Sequence, residues 1–151
     1  MTASSATGER TARRGFLSAT AITVGTALVA NLIIWAVADA AIDVPDAFTP
    51  LQPGSVVFFT IIGVLLAAGL LRVLAGRTAR PAETFRKIVP VALVLSLIPD
   101  VLIWTSGAYE GTAEAKTVLP LMLMHVVTAA LCWVLLPSAL PRSAEATARH
   151  K

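Results

Sequence analysis

Four long apolar runs, at residues 16–37, 56–71, 88–104 and 117–136, take up most of this 151-residue chain. A helix rises ~1.5 Å per residue, so each run can cross, or nearly cross, a hydrocarbon layer of ~30 Å. Asp100 and His125 alone interrupt these runs with an acidic or basic side chain. Lipid offers no hydrogen bonds to a backbone, and a run of this length satisfies its own only as a helix. The pattern predicts an all-α polytopic membrane protein, a four-transmembrane-helix bundle. Its spans are expected at about 16–37, 56–74, 88–105 and 117–136, within a domain over 16–137. Residues 1–15 read as a disordered cytoplasmic tail and 138–151 as a second cytoplasmic tail.

Composition points the same way. Hydrophobic residues make up 56% of the chain and charged ones 14%, against ~25% charged in ordinary soluble domains. That is too little polar surface to coat a water-soluble globule, so the lipid bilayer is the expected solvent and the first partner. A membrane-protein partner or a homo-oligomer are the other associations this architecture admits. No nucleic acid is expected: the cations are scattered beside apolar spans, and aromatic rings are too few for a base-stacking platform. The single cysteine, Cys132, excludes a CxxC redox pair or a multi-cysteine zinc site within one chain and reads as a packing residue. No metal and no cofactor are called for. His125 and His150 fall on opposite sides of the membrane, so one chain cannot supply two haem ligands.

Of the 12 lysines and arginines, all but Lys116 fall on alternate connections. Arg10, Arg13 and Arg14 precede the first run, and Arg142, Arg149 and Lys151 follow the last. Arg72, Arg77, Arg80, Arg86 and Lys87 lie in the second connection, read as 72–87. The first connection, 38–55, instead carries Asp39, Asp43 and Asp46 with Pro45, Pro50 and Pro53. The third, 105–116, holds Glu110, Glu114 and Lys116. Basic flanks stay on the cytoplasmic side. Both termini and the middle connection are therefore expected inside, in a multi-pass protein of the cell membrane. Trp35, Trp104 and Tyr109 then fall near the outer boundary and Trp133 near the inner one. Pro90 and Pro120 are expected in first turns, where a missing N–H costs little. Pro99 lies deep in the third run, frees the carbonyl of Leu95 and predicts a bend there.

Arg13-Arg14-Gly15-Phe16-Leu17 also resembles a twin-arginine export signal, and Ala38-Asp39-Ala40 a small-residue cleavage site. Against that, the apolar stretch is longer than the usual ~7–15 residues of a signal peptide. Asn31 and Trp35 also suit a packed helix. An uncleaved first helix is the expectation.

Polar groups inside lipid need partners. Counted from the outer helix ends, Thr60 and Asp100 lie roughly 8 Å in, Asn31 roughly 10 Å and His125 roughly 12 Å. Each run thus contributes one polar residue at a similar depth in the outer half. Thr23, Ala27 and Asn31 share a face of the first helix, and Thr60, Gly63 and Ala67 a small-residue face of the second. Ala92, Ser96 and Asp100 share one on the third, and His125, Thr128 and Cys132 one on the fourth. Asn31 suits interhelical bonding, while Thr60 is expected to bond its own backbone. Asn31, Thr60, Ser96, Asp100 and His125 are the candidate ligand-binding residues. Asp100 and His125 are the candidates for proton handling or catalysis.

The segments Asn31-Leu32-Ile33-Ile34-Trp35-Ala36, Leu95-Ser96-Leu97-Ile98-Pro99-Asp100 and Met124-His125-Val126-Val127 resemble recurring blocks of an uncharacterised family. Its members are small actinobacterial four-helix integral membrane proteins, a domain of unknown function. The resemblance covers residues 16–136. It implies a membrane location and four helices, marks Asn31, Pro99, Asp100 and His125, and brings no activity.

HExxH, GxSxG, a P-loop and a dinucleotide fingerprint are all absent, so no motif names a reaction. Three classes of function fit. A small binding or accessory membrane protein suits the few polar groups and short loops. A proton-coupled small transporter would use Asp100 and His125, although four-helix exporters place an acidic residue where this chain has Asn31. A membrane-embedded enzyme acting on a lipophilic substrate would use His125 as base and Asp100 as its orienter.

Overall fold

The computed structural model describes residues 3–106, 109 and 113–140, with side chains from residue 13 onward. Among these the chain is all-helical: α1 (Ala3–Ile42), α2 (Pro53–Arg77), α3 (Pro81–Ser106) and α4 (Ala115–Leu135). Short 3₁₀ turns lie at Thr49–Leu51 and Leu136–Ala139. Each of the 4 long helices is long and apolar enough to cross a membrane. The architecture is the all-α, four-span bundle that the apolar runs predict. Glu110, His150 and the basic residues Arg142, Arg149 and Lys151 lie outside the described residues.

The helices outrun the apolar segments at several ends. α1 begins at Ala3, so most of the stretch read as a disordered tail is helical; Ala6, Glu9, Arg10, Ala12, Arg13 and Arg14 are all good helix formers. α2 continues to Arg77 and α3 starts at Pro81. The basic connection read over 72–87 shrinks to residues 78–80, and Arg72, Arg77, Arg86 and Lys87 ride on helix. Pro81 opens α3, which places Pro90 in the helix interior rather than in its first turn. The helix also continues through Pro99 to Ser106.

The ends of the first connection have local causes. α1 closes on Asp43, whose φ of 49° is left-handed and whose N–H donates to the Asp39 carbonyl at 2.9 Å. Aspartate tolerates this conformation better than most residues with a Cβ. Gln52 is extended at the start of α2, with Pro53 in the first helical position where no N–H is needed. Its side-chain amide donates back to the Pro45 carbonyl at 3.2 Å, fastening the loop. At α4 the Glu114 N–H donates to the Thr117 hydroxyl at 3.1 Å, and Lys116 pairs with Glu114 at 3.1 Å.

The four helices form a ring in chain order, with α4 closing on α1 and α2 meeting α4 across the shorter diagonal. Two apolar clusters fill it. One, toward the α2–α3 turn, is built on Ala27, Val64, Ala68, Leu71, Phe85, Val89, Cys132 and Leu136. The other, toward the α1–α2 connection, is built on Val44, Phe48, Leu51, Val56, Val118, Leu121 and Met124. Apolar side chains also cover the outside: Leu66 is 69% exposed and Val94 63%. A helix apolar all round suits lipid rather than water.

The inward face of α2 runs through Val56, Thr60, Val64, Ala68 and Leu71. The small-residue face expected through Gly63 and Ala67 therefore turns partly outward, and a Cβ added at Gly63 would meet nothing within 4 Å. Successive four-residue steps, rather than alternating threes and fours, follow the core here. On α3, Asp100 is buried and Ser96 half-buried, while Ala92 is exposed.

Pro90 has a tertiary consequence. In an unbroken helix the Arg86 carbonyl accepts from the N–H of residue 90, and proline has none. The indole N–H of Trp133, on α4, donates to that carbonyl at 3.1 Å. Trp133→Phe should therefore cost about 0.5–1 kcal/mol and markedly less in a Pro90→Ala background, where an N–H returns to residue 90. A double-mutant cycle on thermal unfolding in detergent measures the difference, and equal costs in both backgrounds would break the link between the proline and the indole.

Candidate functional site

The polar residues sit between the two apolar clusters. On α1, Asn31 lies between Ala27 of one cluster and Ile34 packed on the other. Thr60 is likewise between Val64 and Val56 on α2, and Thr128 between Cys132 and Met124 on α4. Antiparallel neighbours with a polar residue at the same step bring those residues to one level.

At that level the Asn31 amide ties three helices together. Asn31 is 2% exposed, and its Nδ2 donates to Thr60 Oγ1 and to Thr128 Oγ1, each at 2.9 Å. Both amide hydrogens are thereby used. The Asn31 Oδ1 is buried and has no donor among the described residues. The back-bonding expected of Thr60 occurs elsewhere, from Thr20 to the Phe16 carbonyl, Thr23 to Ala19 and Thr105 to Val101. Thr60 serves instead as an acceptor across a helix interface.

Asp100 and His125 meet on the α3–α4 seam. Asp100 Oδ2 lies 3.2 Å from His125 Nδ1, with the carboxylate side chain 6% exposed and the imidazole 37% exposed. The same Nδ1 lies 2.9 Å from the Leu121 carbonyl. A carbonyl only accepts, so Nδ1 carries the hydrogen and Nε2 is left as the nitrogen that can take a further proton. That hydrogen is aimed at Leu121, so the carboxylate stands beside the nitrogen rather than on its N–H axis. Asp100 Oδ2 accordingly approaches an imidazole closely, yet accepts no hydrogen bond among the described residues.

The five residues singled out from sequence thus fall into two pairs and a remainder. Asn31 meets Thr60, Asp100 meets His125, and Ser96 donates to its own Leu93 carbonyl at 2.8 Å. Thr128 is the member that the candidate set lacked. Its signal was a hydroxyl three residues beyond His125, in an otherwise apolar helix. Cys132 is 3% exposed within the apolar cluster, a packing position. Among the described residues no three His, Cys, Asp or Glu side chains gather where a metal ion could be held.

Chemically the arrangement divides in two. Asn31 with Thr60 and Thr128 is a clamp in which both amide N–H groups are used and the Asn31 Oδ1 is left without a donor among the described residues. Asp100 with His125 offers a buried acceptor oxygen and an imidazole with an exposed part, able to hold a hydrogen-bond donor or pass a proton.

Four apolar helices around a polar layer define a small polytopic membrane bundle. Within that class the chain belongs to a family of unknown function, DUF6069, whose model matches residues 11–142. No curated protein and no solved structure shows significant similarity to it.

The clamp makes its own forecast. Thr60→Val or Thr128→Val leaves one Asn31 N–H without an acceptor and should cost about 0.6–1.7 kcal/mol. The two effects should be non-additive, because both act through one amide. Additive losses in detergent unfolding would show that the hydroxyls matter independently of Asn31.

Proposed function

We propose that this chain is a small binding or accessory protein of the cell membrane, whose α3–α4 seam holds the hydrogen-bond-donating head of a lipophilic ligand. The observation that carries the reading is Asp100 Oδ2, a buried acceptor with no donor among the described residues, beside an imidazole 37% exposed. An unsatisfied acceptor in an apolar interior costs on the order of 1–3 kcal/mol, a cost that a donor from a ligand would offset. Access from the side is supported by α3, the least buried of the four helices. Between Val89 and Asp100 its residues are at most half-buried.

The proposed orientation follows from charge. The α2–α3 end carries Arg72, Arg77, Arg80, Arg86 and Lys87, and the opposite end carries Asp39, Asp43 and Asp46. By the positive-inside rule the basic end and both termini face the cytoplasm, and the Asp100–His125 pair lies in the outer half. A reporter fused after Lys151 should accordingly stay inside the cell. Its appearance outside would reverse the assignment.

A long-chain primary amine such as hexadecylamine is the simplest probe, with hexadecanoic acid as control. The amine should bind the detergent-solubilised protein in preference to the acid. Asp100→Asn should weaken it about tenfold, the size of a charge-assisted hydrogen bond. Unchanged binding in Asp100→Asn, or equal binding of amine and acid, would remove this reading. The proximity of Asp100 and His125 also favours a second reading, proton-coupled transport. Flux in proteoliposomes that persists in the Asp100→Asn, His125→Gln double variant would eliminate it.

A further inference from the structure

At the basic end, residues 72–87 hold five cations and one acid, Glu83. Glu83 takes Lys87 at 2.7 Å and Arg80 at 3.4 Å. Arg72, Arg77 and Arg86 then have no anionic partner among the described residues. Two of these are held against rings: Arg72 lies 5.7 Å over Phe16 of α1, and Arg86 lies 5.5 Å over Trp133 of α4.

Arg86 is the better fixed of the two. Its carbonyl, freed by Pro90, accepts the Trp133 indole N–H, so the ring beneath the guanidinium is fastened to the backbone of the same residue. The guanidinium, a planar fork of N–H donors, makes no hydrogen bond among the described residues. That fork matches the oxygens of a phosphoryl group in two parallel bonds. Holding the side chain beforehand lowers the ordering cost when an anion arrives.

We infer that the α3–α4 seam at the basic end binds the phosphoryl headgroup of an anionic phospholipid, with Arg86 as the anion ligand and Trp133 as the floor. A lipid is favoured over a soluble anion by what continues from the site. Exposed apolar side chains follow along both helices away from Arg86 and Trp133, with Val94 63% exposed on α3 and Leu123 49% and Val126 44% on α4. They offer a wall to acyl chains below a headgroup seated on Arg86. The site lies at the other end of the seam from His125 and stands or falls independently of it.

The test uses a variant in which Trp133 is the sole tryptophan (Trp35→Phe, Trp104→Phe), reconstituted in vesicles of mixed phosphatidylglycerol and phosphatidylcholine with bromine on the chains of one or the other. Quenching of Trp133 should show about fivefold preference for the anionic lipid, the effect of one basic residue near a surface. Arg86→Gln should abolish the preference. Arg80→Gln removes the same charge from the pair with Glu83 and should leave it intact. Equal losses in the two variants would mean a diffuse positive surface and overturn the site, as would the absence of any preference in the parent. Inorganic phosphate, at ionic strength matched with chloride, should not displace the lipid. Displacement would assign a soluble anion and overturn the lipid. Native mass spectrometry of the chain with all its tryptophans gives a second measure: bound phosphatidylglycerol should survive in the parent and fall in Arg86→Gln, and equal retention in both counts against the site.

Discussion

The Asn31 amide sets the relation of α1, α2 and α4, and the rest of the bundle is arranged around it. Among helices in lipid, apolar contact does not select a register strongly, because acyl chains are as apolar as leucine. A donor buried among such helices does select one, since only one axial position brings acceptors to it. Asn31 donates to a hydroxyl on each of two other helices, both at 2.9 Å. Sliding α2 or α4 by a single turn, about 5.4 Å, would break one of those bonds and leave an N–H without a partner. The two apolar clusters lie on either side of this level, so their residues are matched because the clamp is made.

The α3 helix stands outside that clamp, and different bonds fasten it. Near the basic end Pro90 withdraws the donor that Arg86 would otherwise meet, and Trp133 supplies it from α4. Near the other end Asp100 approaches His125, again on α4. A proline inside a helix is usually counted as a loss of one hydrogen bond. Here the freed carbonyl becomes a point of attachment for a neighbouring helix. The same exchange helps hold the indole of Trp133 beneath the guanidinium of Arg86, with Cζ 5.5 Å from the ring centroid.

Spans, helical class and the charge asymmetry were legible in the sequence because length, hydropathy and basic residues act over many positions at once. Helix ends were less so. The stretch at 3–15 is polar yet holds many good helix formers, and 72–77 carries an arginine at each end; in both, charge marks the end of the apolar run and not the end of the helix. The α2 face was misread for a related reason: Thr60-Gly63-Ala67 and Thr60-Val64-Ala68 are both helical stripes, and small size alone does not choose between them. The meeting of Asp100 with His125 was suggested by depth. Depth also placed Asn31 and Thr60 at one level, but not their bond or the one to Thr128, because a threonine in a span has its own backbone as a competing partner. The Arg86–Trp133 contact required knowing that Pro90 lies inside α3 rather than at its start.

The two polar centres each keep one buried oxygen without a donor among the described residues, and they differ in how firmly their other contacts hold them. Asn31 spends both donors on fixed hydroxyls, and moving it would cost bonds to two helices. Asp100 has only the flank of an imidazole whose hydrogen points at Leu121. A buried carboxylate oxygen in that position destabilises the bundle as it stands, and a donor reaching it would stabilise the folded chain without disturbing the clamp. The helix outside the clamp carries a carboxylate oxygen without a donor, while the other three are joined by an amide whose two N–H groups are both used. In the proposed reading α3 can therefore shift to admit a ligand while α1, α2 and α4 keep their register through Asn31.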